Sequence, residues 1–100
     1  MLTHCKPCEG GVTPIIPNEL PANWNLGEDK KNIWRFWLFK NHHQVMAFVN
    51  AIAFISHREN HHPDISFGYN NCKVTYTTHA IDGLSENDLI CASRINALEE

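Results

Sequence analysis

Twice between Trp24 and Leu98 the chain runs through two short stretches suited to strands and then one suited to a helix. This doubled order narrows its folds more than any other feature. The first pass opens on Trp24-Asn25-Leu26, turns through the polar segment Gly27 to Lys31, and enters Ile33 to Phe39, where aromatic density favours a strand. Asn41 suits a helix N-cap, and Gln44 stands three residues on, as in a capping box. Val45, Phe48, Val49, Ile52 and Ile55 then recur at helical spacing, which predicts an amphipathic helix. It should end near Glu59-Asn60, because Pro63 disfavours helical backbone in the residue before it.

In the second pass Ile65, Phe67 and Tyr69 alternate with Ser66, Gly68 and Asn70, which is strand periodicity. Asn70-Asn71 is a turn candidate, and alternation resumes from Lys73 to His79, with Val74 and Tyr76 on one side and Thr75, Thr77 and His79 on the other. Asp82-Gly83 breaks the strand. Ser85-x-x-Asp88 is a capping box that opens a helix through Leu89, Ala92, Ile95 and Leu98. The fold class expected is α+β: a four-stranded antiparallel sheet with both helices on one face, in the order β-β-α-β-β-α. The bare sheet face and its edges are places where so small a domain would self-associate.

Residues 1–23 differ in character. Cys5-x-x-Cys8, Gly10-Gly11, Pro14, Pro17 and Pro21 punctuate them, so an irregular N-terminal arm is expected there, with at most a helical turn near Asn18 to Leu20. Residues 24–100 form the one domain that a chain of 100 residues leaves room for. A formal charge of −3 and scattered Lys and Arg exclude the basic footprint of a nucleic-acid binder. No apolar stretch is long enough to span a bilayer, and the first twenty residues lack the apolar run of a signal peptide. A cytoplasmic protein is therefore expected, whose cysteines Cys5, Cys8, Cys72 and Cys91 are thiols rather than disulfides.

The chemistry-bearing feature is His57-x-x-x-His61-His62-Pro63, followed by Thr77-Thr78-His79. Imidazole titrates near neutrality, so it can both donate and accept a proton at working pH. Here His61 and His62 fall at a helix-to-strand junction and His79 at a strand end, and a hairpin can bring such ends to one cleft. Each histidine alone reads as an exposed polar residue at an element terminus. His57 and His61 have the spacing of the paired ligands in HExxH zinc enzymes, but Arg58 stands where that motif needs its glutamate. His4 with Cys5-x-x-Cys8 is only half of a zinc site. No metal and no cofactor are expected. Asp88 has a structural explanation as a capping-box partner, and a helix N-terminus at a cleft would also offer free backbone N–H groups.

These residues resemble the signature of the pterin-4a-carbinolamine dehydratase family: a charged residue, three residues, HHP, an aromatic, TH, and GL-x-x-x-D. It is carried here by His57, His61-His62-Pro63, Tyr69, Thr78-His79, and Gly83-Leu84 with Asp88. The likeness covers roughly residues 24–98, and the N-terminal HC-x-x-C resembles bacterial members that accompany phenylalanine hydroxylase. Two positions depart from the family: Ile65 stands where tryptophan is common, and His57 where glutamate is frequent. Both bear on affinity and pterin preference.

The resemblance implies a hydro-lyase that dehydrates 4a-hydroxytetrahydrobiopterin in the recycling of tetrahydrobiopterin. It implies His61, His62 and His79 as catalytic residues, and His57, Asn60, Pro63, Thr77, Thr78, Ala80 and Asp88 as substrate-binding ones. In this reading His61 and His79 flank C4a as acid and base while His62 orients the ring. It further implies a homodimer or homotetramer, and a functional link to phenylalanine hydroxylase. The family also includes a dimerisation cofactor of a transcription factor, so a non-catalytic binding module is the alternative.

Overall fold

A computed structural model describes residues 14–98. Its elements follow in the order expected: β1 (Asn25–Leu26), β2 (Ile33–Leu38), α1 (His42–Glu59), β3 (Asp64–Phe67), β4 (Asn71–Tyr76), a 3-10 turn at His79–Ile81, and α2 (Glu86–Ala97). The four strands form one antiparallel sheet in the spatial order β1-β2-β4-β3, so two hairpins are joined at their inner strands.

Alternation along the inner strands divides the sheet into two faces. Ile33, Trp37, Cys72, Val74 and Tyr76 are buried against the helices with Ile52, Ile55, Cys91, Ala92 and Ile95. The register puts Ile33 opposite Tyr76 and Trp37 opposite Cys72, so the inward side chains stack in rows. Burying each such aliphatic or aromatic side chain is worth roughly 1.5–3 kcal/mol. On the other face Phe36 and Leu38 are exposed, and Lys73 lies over the Trp34 ring at 4.8 Å. Trp24 and Trp37 meet edge to face inside, with centroids 5.8 Å apart.

Both helices carry the expected caps. Asn41 accepts a hydrogen bond from the Gln44 amide at 3.0 Å, but the Gln44 side chain reaches back to the amide of Lys40 instead of that of Asn41. Ser85 and Asp88 make the full reciprocal capping box. Asn96 ties the last turn of α2 to the first strands: it accepts from Trp24 Nε1 and Arg35 Nη1 and donates to the Ala22 carbonyl. Arg94 of α2 pairs with the buried carboxylate of Glu59 on α1, Nε to Oε2 3.2 Å.

Three expectations change in detail. Leu98 is exposed, and the buried side of α2 is built from Ile90, Cys91, Ala92 and Ile95. Strand β4 ends at Tyr76 rather than at His79: Thr78 pairs with Gly83 across a tight loop, which bends the chain into the 3-10 turn. No helical turn forms at residues 18–20. The described part of the arm instead turns at Pro21, whose carbonyl accepts from Trp24, and pairs Ile15 with Leu84. Residues 1–13, with Cys5 and Cys8, lie outside the described residues.

Candidate active site

The end of α1 is shaped by Asn60, which takes the left-handed conformation (φ 52°) and donates its amide to the last carbonyls of the helix. Asparagine tolerates this region better than most residues. The reversal aims His61 back at the molecule while His62, next in the chain, is exposed; Pro63 is buried and starts the path into β3.

His61 is held on three sides. Its ring stacks on that of Tyr76, with centroids 5.5 Å apart and planes 11° from parallel. Its Nε2 lies 2.6 Å from Oδ1 of Asp88, and its amide donates to the Ser56 carbonyl at 3.2 Å. Asp88 is wholly buried, and a buried carboxylate is tolerated only when its oxygens are satisfied. They are. Oδ2 accepts from the Thr78 hydroxyl at 2.8 Å and from the Ser85 amide at 3.0 Å, while Oδ1 meets His61. The Thr78 and Ser85 hydroxyls also lie 2.8 Å apart. The capping box therefore uses one oxygen of Asp88 and leaves the other to orient an imidazole.

This carboxylate is where two distant segments meet. His61 comes from the end of α1, and Thr78 is the residue before His79 on the loop after β4. His79 and Ala80 are exposed at the tip of that loop, and Thr77, half-buried, donates its hydroxyl to the Lys31 carbonyl. His57, in the last turn of α1, is exposed, as is Asn60. Of the residues expected at the site, His61, Thr78 and Asp88 are thus joined directly. His62, His79, Ala80, Asn60 and His57 present themselves to solvent, and Pro63 is packed within. His42 and His43 start α1, about 25 Å of helix away, where His42 stacks on Tyr69.

Ser85, Tyr76 and Lys31 were not anticipated. Ser85 was legible only as a helix cap and Tyr76 only as an inward strand residue; Lys31 gave no signal beyond a polar turn. Among the described residues no three His, Cys, Asp or Glu side chains come together as metal ligands do.

The family model for pterin 4 alpha carbinolamine dehydratase matches residues 13–98. A protein of Nitrosospira multiformis is 56% identical over 102 residues, covering 95% of this chain and 88% of its own length. One from Nitrosomonas eutropha is 54% identical over 101 residues, with 94% and 88% covered. Both are named, provisionally, as pterin-4-alpha-carbinolamine dehydratases. Among solved structures, a transcriptional coactivator/pterin dehydratase from Brucella melitensis superposes with a TM-score of 0.75 at 28% identity, covering 80% of this chain and 85% of that one. A pterin dehydratase-like protein identified as a RuBisCO assembly factor in the alpha-carboxysome gives 0.66 at 25% identity, with 76% and 88% covered. The elements and their sheet order define a small α+β protein of two hairpins, each followed by a helix. This chain belongs to the pterin-4a-carbinolamine dehydratase family.

Proposed function

We propose that the protein dehydrates a 4a-hydroxytetrahydropterin to the quinonoid dihydropterin, with His61 and His79 as the proton-transferring pair and His62 orienting the ring. The hydroxyl on C4a leaves as water after taking a proton from one imidazole. The proton on N5 passes to the other, and the N5 electron pair closes the new C4a=N5 double bond. Neither oxidant nor reductant enters the balance. General acid–base catalysis of this kind contributes typically about 10²–10⁴-fold.

The observation that carries this reading is the Asp88 carboxylate, shared by His61 and by the neighbour of His79. Asp88 fixes which nitrogen of His61 faces inward and leaves Nδ1 for the substrate. Asp88 and Thr78, being buried, would act through His61 and the loop rather than on the pterin; Asn60, His57, Thr77 and Ala80 would line it. A 4a-hydroxypterin is the product of a pterin-dependent hydroxylase, so the protein would work beside one in the cytoplasm, with phenylalanine hydroxylase the partner the family likeness suggests. The bare sheet face with Phe36 and Leu38, and the open edge of β3, support a homodimer or homotetramer.

A second reading is a non-catalytic assembly module, favoured by the likeness in fold to the RuBisCO assembly factor. Synthetic 4a-hydroxytetrahydropterin, followed by the absorbance of the quinonoid product, separates the two. Acceleration over the spontaneous reaction supports the enzyme; a rate equal to the spontaneous one contradicts it.

A further inference from the structure

The loop that carries His79 has little of its own to hold it. Its 3-10 turn spans three residues and buries none of them. Its base is closed by Thr78 and Gly83, amide to carbonyl at 2.8 Å in one direction and 3.4 Å in the other. Asp82 ends the turn in the left-handed conformation (φ 49°) and donates its amide to the His79 carbonyl at 3.2 Å. From here two bonds run to another element. Lys31 Nζ meets Asp82 Oδ2 at 3.0 Å, and the Lys31 carbonyl accepts from the Thr77 hydroxyl.

Lys31 is itself firmly placed. Asp29 Oδ1 accepts from the Lys31 amide at 2.9 Å and from Asn32 Nδ2 at 3.1 Å, and the Gly27 amide donates to the Asn32 carbonyl at 2.8 Å. The turn then runs straight into β2, where Ile33 pairs with Tyr76. Continuing that register sets Lys31 and Asn32 alongside Thr77 and Thr78. The first hairpin thereby extends past the end of β4 and holds the loop by the Thr77 hydroxyl at its start and the Asp82 carboxylate at its end.

We infer that Lys31 is a positioning residue for His79, acting through Asp82 and Thr77. Resting on the dehydratase reading, this adds a hairpin residue outside the histidine signature to the machinery that sets the reaction geometry. The Asp82 hydrogen bond and charge also hold the Lys31 ammonium in its protonated form, raising its pKa above the ordinary lysine value. The pair is solvent-exposed, with side-chain exposures of 51% and 86%, so its effect is modest and sensitive to salt.

The test compares K31A, K31R and the exchanged pair K31D/D82K with the wild type, each by dehydration kinetics and by amide hydrogen exchange at His79 to Asp82. K31A is expected to lower kcat about 2- to 5-fold with KM for the pterin unchanged, and to speed exchange in the loop. K31R and the exchanged pair should recover most of both. Unchanged kcat and unchanged exchange in K31A, or equal losses in K31A and the exchanged pair, would overturn the inference. The exchange measurement does not depend on turnover. An inactive wild type whose loop still loosens in K31A would sink the dehydratase reading while leaving the hold of Lys31 on the loop standing.

Discussion

Asp88 does two jobs with two oxygens, and the jobs can be separated. Ser85→Ala removes the hydroxyl cap of α2 and should cost about 0.5–2 kcal/mol in thermal or chemical denaturation. It should leave kcat within about 3-fold, since His61 keeps its carboxylate. Asp88→Asn weakens both the cap and the His61 anchor. It is expected to cost about 1–3 kcal/mol of stability and to lower kcat well beyond the Ser85→Ala value. Equal kcat in the two variants would show that the Asp88–His61 contact has no part in turnover. Cys72 gives a pH-dependent prediction. Burial pushes its thiol up to about 11, so the folded chain keeps this proton after the unfolded chain has released its own. The unfolded state then binds fewer protons, and stability falls as pH rises from about 9 to 11; Cys72→Ala should flatten that part of the curve. At this scale the sequence showed which residue types carry chemistry. It hid how they are held: Ser85-x-x-Asp88 reads completely as a cap, and nothing in that spacing tells that the second oxygen faces an imidazole.

Elements were the most legible level, because each rests on a local rule. The helix from Asn41 to Asn60 follows from a capping asparagine, the spacing from Val45 to Ile55, and Pro63. The strand ends were less legible. His79 continues an alternating pattern, yet the Thr78–Gly83 pairing takes it out of β4, a contact that alternation does not encode. Leu98 fits the helical period but falls on the C-cap of α2, beyond its last helical residue, and is exposed. The junction that aims His61 depends on the left-handed Asn60. Asn60→Gly should fold with unchanged or slightly shifted stability, whereas the β-branched Asn60→Val should lose about 1–2 kcal/mol, read by denaturant titration. Between the helices, Arg94→Met takes an ion-pair partner from the buried Glu59 and should cost about 1–3 kcal/mol in the same assay.

At the scale of the molecule, one sheet face is covered by both helices and the other is bare, with Phe36 and Leu38 exposed on it. A chain of 100 residues has limited core, and association would bury such a face. Light scattering of the purified protein should give a mass two or four times that of one chain. The relatives in fold bear names as different as coactivator/pterin dehydratase and RuBisCO assembly factor, so the architecture alone does not set the activity. The claim that sets it is the proposal that His61, held by Asp88, and His79, the neighbour of the Asp88 partner Thr78, pass protons on a bound pterin. The most direct measurement is the initial rate of 4a-hydroxytetrahydropterin dehydration by His61→Ala and His79→Ala, each checked for folding by circular dichroism. Folded variants slowed about 10²-fold or more would agree with the account, and two folded variants turning over at the wild-type rate would contradict it.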